Sequence, residues 1–246
     1  MPPTLAEHNF DGLAALKAVV SGTHYGNLPA AVAALTVFPS KEAVAQTRNL
    51  NVFRMWRHGA KRRDFCEDDS SLMNDDNAGP HLLFTTANVI QVIQEDGETK
   101  RLTSLLGRNL ALNHIYAGDE GDVEQQILCF TNLANLCVSP AFLSRVTDKD
   151  EEIKALLRYR VADLYGFNPT GQPLRKPEVY RQLPWAPLLD GVGNVEAALL
   201  ERLQRHKTSS VRQAVERSGW CFDDFSSNPF TGLPLAHGRG ERAGTA

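Results

Sequence analysis

Residues Asp122 to Cys137 read D-V-E-Q-Q-I-L-C-F-T-N-L-A-N-L-C. Val123, Ile127, Phe130, Ala134 and Cys137 recur at 4-3-4-3 spacing, the mark of one helix face. Leu128, Leu133 and Leu136 widen that face, so the spacing predicts a helix buried nearly all round. Asp122 followed by Gln125 supplies a capping box at its start, and Pro140 ends or kinks it. Ile127, Phe130, Leu133, Ala134 and Leu136 are expected to be almost wholly buried.

Helical signals continue on both sides. Ile153, Leu157, Val161 and Leu164 form a second stripe, with Gly166 placed as its C-cap. Val195, Leu199 and Leu203 mark a later helix capped by Asn194. Upstream, Leu102, Leu105, Leu106 and Leu110 form another stripe. Phe10, Leu13, Leu16 and Val20 recur at 3-3-4 spacing. Pro29 stands in the first turn of a helix running through A-A-V-A-A-L, where its missing N–H is harmless. Ser40 caps a helix carrying Ala43, Val44, Leu50 and Phe53. Strand signals are few: T-T-A-N-V-I-Q-V-I alternates only briefly. The fold expected is mostly α, with little β and long Pro/Gly-rich loop segments.

The segment L-F-T-T-A-N-V at Leu83–Val89 is echoed by C-F-T-N-L-A-N-L at Cys129–Leu136, offset by 46 to 47 residues. That period suits armadillo and HEAT repeats. Residues Cys129 to Ala134 also resemble the armadillo inner-helix consensus. Gln126 departs from it, standing where the repeat wants a small residue, and no third copy occurs near position 178. The resemblance implies a helical stack that binds partners in its groove. The alternative is an ordinary buried helix.

A second echo pairs F-N-P-T-G-Q-P-L at Phe167–Leu174 with N-P-F-T-G-L-P-L at Asn228–Leu235. Asn before Pro favours an extended lead into a turn, and Gly closes it with φ > 0. N-P-x-T-G segments are similar to ones in eukaryotic axonemal and microtubule-lumen proteins, which implies docking in a partner's groove; two plain turn loops are the alternative. The first copy lacks the residue between Pro169 and Thr170. Leu174, Trp185, Phe230 and Leu235 lie in Pro-rich stretches with no amphipathic helix to bury them; they are candidate binding residues, and at least two of the four are expected to be exposed in the free chain and covered only in the assembly.

The chain organises as N-terminal helices (1–58), a charged loop (59–80), a helical core (81–166), a Pro-rich extended segment (167–193), helices (194–218) and an extended tail (219–246). The strip R-M-W-R-H-G-A-K-R-R, Arg54 to Arg63, runs into the start of the charged loop, with five Lys/Arg and no acid. Arg54, Trp56, Arg57, Lys61, Arg62 and Arg63 would suit RNA, anionic lipid or an acidic protein surface. The six acids between Asp64 and Asp76 would equally neutralise the strip across one loop. Arg57-His58-Gly59 resembles the R-H-G opening of the histidine phosphatases, which implies His58 as phosphoryl acceptor and Arg57 as phosphate clamp. Lys61 and Arg63 depart from that family's R-H-G-x-R-x-P, and a second catalytic His has no good match.

No calcium loop, dinucleotide fingerprint, P-loop or H-E-x-x-H zinc motif occurs, so neither cofactor nor metal is expected. The 246 residues carry a net charge of -3, with 42% hydrophobic and 22% charged residues. That balance can bury a core and excludes a globally basic nucleic-acid coat. Cys66, Cys129, Cys137 and Cys221 form no C-x-x-C pair. With no apolar leader and no apolar run near the ~20 residues that span a bilayer, a cytoplasmic protein with reduced thiols is expected. The function expected is a non-enzymatic scaffold in a larger assembly, cytoskeletal or axonemal in its specific form. The rivals are a nucleic-acid-binding protein using 54–63 and a phosphatase-like enzyme using His58.

Overall fold

The computed structural model describes residues 12–47, 78–89, 91–93, 99–101, 109–116 and 132–205. The described part is helix-rich with few strands. Its helices are α1 (Gly12–Ser21), α2 (Leu28–Leu35), α3 (Lys41–Thr47), α4 (Ala78–Ala87), α5 (Ser144–Lys149), α6 (Glu151–Tyr165) and α7 (Val195–Arg205). Its strands are β1 (Asn88–Val89), β2 (Gln91–Ile93), β3 (Thr99–Arg101), β4 (Leu110–His114), β5 (Leu136–Pro140) and β6 (Asp190–Gly191). They pair antiparallel in twos: β1 with β6, β2 with β3, β4 with β5. None of the described helices is long and apolar enough to cross a membrane.

Local chemistry sets the helix ends. Asn27 accepts the Ala30 N–H at 2.8 Å ahead of Pro29 in the first turn of α2. Ser40 Oγ accepts the Ala43 N–H at 2.9 Å and starts α3. Asn194 does the same for Ala197 at 2.9 Å in α7. Asp150 caps α6, accepting N–H bonds from Glu152 and Ile153 at 3.0 and 3.1 Å. Gly166 ends α6 with φ 67°, a left-handed conformation that glycine adopts without strain. Ile153, Leu156, Leu157 and Val161 face inward from α6, and one buried cluster joins them to Val32 of α2, Phe38, Tyr116 and Leu143. The N-terminal helices and the 133–165 segment therefore share a core.

Asp150 also forms an ion pair with Lys17 of α1. Burial alone would raise its carboxyl, but the Lys17 ammonium and the two amide donors together hold it below its ordinary 3.8. Asp150→Asn keeps a capping oxygen and removes the charge. At pH 7 it should cost about 1 kcal/mol, since Lys17 is half-exposed and screened. A carboxyl depressed by folding contributes fully above its ordinary value and loses that contribution as pH falls through its lower folded value. Urea melts should therefore show the gap between wild type and variant closing as the pH falls below the ordinary 3.8 and through the lower folded value. A gap of constant size across that range would mean that the charge contributes nothing.

Of the helix expected over 122–138 only the part from Asn132 is described, and it is not an α-helix there. Residues 117–131 lie outside the described structure, and with them Ile127 and Phe130. From Asn132 onward the chain makes one 3-10 turn, Leu133–Asn135, and then enters β5. Leu133, Ala134 and Leu136 are buried, but Leu136 and Cys137 lie in a strand. A short apolar run satisfies a buried strand and a buried helix alike. Long-range partners decide here. Val37 and Val138 exchange both backbone bonds, at 2.9 and 3.0 Å, while β4 pairs along the other edge of β5. The residue before Pro140 is also pushed toward extended backbone. Leu110, expected at the end of a helical stripe, opens β4 instead, and Leu102, Leu105 and Leu106 lie outside the described residues. The helix carrying Ala43 and Val44 is described from Lys41 to Thr47, and Leu50 and Phe53 lie outside the described residues.

The first echo acquires a structural meaning. Ala87-Asn88-Val89 and Ala134-Asn135-Leu136 both stand where a helical turn gives way to a strand. Each carries a buried asparagine that bonds backbone. Asn88 accepts the Ser40 N–H at 3.1 Å and donates to the Phe84 carbonyl at 2.8 Å. Asn135 accepts the Tyr116 N–H at 2.7 Å and donates to the Tyr116 carbonyl at 3.1 Å. In both places the side-chain oxygen accepts from one backbone N–H and the side-chain nitrogen donates to one backbone carbonyl.

Candidate interaction surface

After Gly166 the chain turns away from α6, makes the first N-P-T-G loop, and returns as a strap across the core. The return path is fixed by backbone. Ala186 donates to the Ala33 carbonyl, Leu189 to Phe38 and Val192 to Ala87, each at 3.0 Å. Gln46 fastens the far end: its amide nitrogen donates to the Val192 carbonyl at 3.2 Å, and its oxygen accepts the Val195 N–H at 2.9 Å. Prolines explain why this stretch is extended rather than helical, since each removes a donor and biases its predecessor away from the helix.

The strap is locked to α6 by stacked rings and cations. Trp185 meets Phe38 edge-on at 6.0 Å and Tyr180 at 5.4 Å. The Arg160 guanidinium lies 4.5 Å from the Trp185 ring and 5.9 Å from that of Phe38. Such contacts contribute about 0.5–1 kcal/mol when exposed and more when desolvated. Arg160 also donates to the Tyr180 hydroxyl at 3.2 Å, which in turn donates to Asp163 at 2.8 Å. Burial pushes the Tyr180 phenol up, Arg160 opposes it and Asp163 adds to it, so the hydroxyl stays a donor. The Trp185 indole N–H bonds the Tyr180 carbonyl at 3.2 Å. Burial likewise pushes Tyr165 up, the Arg160 charge opposing it, and its hydroxyl donates to Pro39 at 2.7 Å.

The turn itself is closed by its own side chains. Asn168 donates to the Gln172 carbonyl at 2.7 Å and accepts the Thr170 hydroxyl at 2.9 Å. The Gly171 N–H bonds the Asn168 carbonyl at 3.2 Å, with φ 66° at Gly171. Beyond it Gln172, Pro173, Arg175, Lys176, Glu178 and Val179 are exposed. Arg175 and Glu178 approach to 3.8 Å with both side chains about nine-tenths exposed, a pair worth little to stability.

Of the residues singled out for binding, the structure brings Leu174 and Trp185 onto this strap. Both are half-buried, Trp185 because it packs on Phe38, Tyr180 and Arg160. Arg54, Trp56, Arg57, His58, Lys61, Arg62, Arg63, Phe230 and Leu235 lie outside the described residues. Sequence reading missed Arg160, Tyr180 and Phe38. Arg160 carried a signal: it follows Leu157 by three positions and precedes Leu164 by four, so it sits on the apolar face of α6. Among the described residues, no three His, Cys, Asp or Glu are grouped to hold a metal ion. No protein-family model matches the chain, and neither a curated protein nor a solved structure matches it.

Proposed function

We propose that the chain is a non-enzymatic scaffold protein acting within a larger assembly, cytoskeletal or axonemal in its specific form, and that the strap is its partner-facing element. The turn at Asn168–Gln172 carries this reading. Its side chains close it on itself, so its shape is set before a partner arrives, and little ordering entropy remains to oppose docking. The exposed run beyond it offers Arg175, Lys176 and Glu178 beside the apolar Val179, 42% exposed. Core packing of Trp185 and the backbone bonds of Ala186 and Leu189 give that run a rigid base. The finer armadillo- or HEAT-like reading rests on the sequence echo alone, and the strap does not require it. The rival readings, at 54–63 and at His58, fall on residues outside the described structure.

Gly171→Val supplies the test, because a β-branched residue at φ 66° is strained. Tagged wild-type chain in extracts of its own cells should sediment well above its 27.1 kDa. The variant should shift toward monomer while its melting temperature falls by only a few degrees, as expected for about 1 kcal/mol. Wild-type chain sedimenting as a monomer would remove the assembly reading.

A further inference from the structure

Lys176 lies on the exposed run of the strap, and its ammonium faces two rings. Nζ is 5.5 Å from the Tyr180 centroid and 5.9 Å from that of Tyr159. The two rings meet edge to face at 4.8 Å, Tyr159 from α6 and Tyr180 from the returning strap. Tyr180 is 6% exposed, whereas the Lys176 residue is exposed. Of the carboxylates on these two elements, Glu178 approaches Arg175 and Asp163 accepts the Tyr180 hydroxyl. The cation thus bridges helix and strap through ring faces, an attraction that requires its positive charge.

We propose that Lys176 is an acylation-sensitive latch, a modification site at which loss of the ammonium charge lets the 172–179 run lift from α6. The donor class is an acyl thioester. The neutral amine attacks the thioester carbonyl, a C–N bond forms, the C–S bond breaks, the thiol leaves with a proton, and Nζ becomes an uncharged amide. Nothing is oxidised or reduced. The amide is uncharged and gives up the attraction to the faces of Tyr159 and Tyr180. The strap's anchors at Ala186, Leu189 and Val192 lie further along the chain and stay in place, so opening is confined to the run between Gln172 and Val179. In governing a partner-facing element the latch rests on the function proposed above, but its opening is measured without a partner, so either can fail alone.

Hydrogen exchange on the full chain tests it, with Nε-acetyl-lysine installed at position 176 by genetic-code expansion and with Lys176→Gln and Lys176→Arg beside it. The acetylated chain and Lys176→Gln should exchange the Tyr180 amide, bonded to the Pro177 carbonyl at 3.1 Å, about two- to fivefold faster than wild type, the range expected for an exposed cation–π contact. Lys176→Arg keeps the charge and should match wild type. Amides of 153–164 should be unchanged in all three, which shows that α6 stays folded. Equal exchange in acetylated and wild-type chains would overturn the proposal. So would Lys176→Arg opening the run as far as Lys176→Gln, because shape rather than charge would then hold it.

Discussion

Phe38→Ala is expected to lower stability by about 3–5 kcal/mol, the range for removing a large ring from a closed core. Phe38 is fully buried, and its place on the chain compounds the loss. Its neighbour Val37 pairs with Val138 of β5, and its own carbonyl receives the Leu189 N–H of the strap. Its ring takes the edge of Trp185 and lies beside the Arg160 guanidinium. Removing the ring leaves a cavity where α2, β5, α6 and the strap converge. Urea melts should show the lower midpoint, and hydrogen exchange should show faster opening around Trp185. Phe38→Leu refills much of the volume and should cost less than half as much. A loss under 1 kcal/mol for Phe38→Ala would mean that the core does not centre there.

Asn135→Ala is the second large effect, at about 2–4 kcal/mol. The side chain is fully buried and bonds both the N–H and the carbonyl of Tyr116. Truncation takes one bond from each of these buried backbone groups, and each such loss costs roughly 1–3 kcal/mol. Asn135→Asp keeps the acceptor, removes the donor and buries a charge, so at neutral pH it should be at least as destabilising. Thermal melts of both variants check this. An Asn135→Ala chain as stable as wild type would show that its polar bonds do not fix the junction between the 3-10 turn and β5.

Punctuation was the most legible part of the sequence. Pro29, Ser40, Asn194 and Gly166 stand where the structure starts or stops helices, because capping is decided within a few residues. The Ile153–Leu164 stripe was equally plain, since one face of a 15-residue helix repeats its pattern several times. The end of the Asp122 stretch misled for a physical reason. Leu136, Cys137 and Val138 are buried on every side, and such a run loses the periodicity that separates strand from helix. What settles it is Val37, about a hundred residues away. Trp185 was visible as an aromatic among prolines, but the groups it packs on lie in other elements. Arg160 was hidden inside an otherwise ordinary amphipathic helix. Composition alone does not reveal that a Pro-rich segment docks on its own domain, because the docking is done by backbone bonds to Ala33, Phe38 and Ala87.

The clasp between Gln46 and Val195 spans 149 residues, and its consequence appears during synthesis. At roughly 5–20 residues per second, about 7–30 s separate translation of these two positions. Throughout that interval Val32, Phe38 and Ala43 have emerged without the strap and α7 that later cover them. The nascent chain is therefore expected to engage holding chaperones early and to release them only after α7 is made. Ribosome-bound chains stopped near residue 170 should be protease-sensitive in α2 and α3, and chains extended through the full sequence should not.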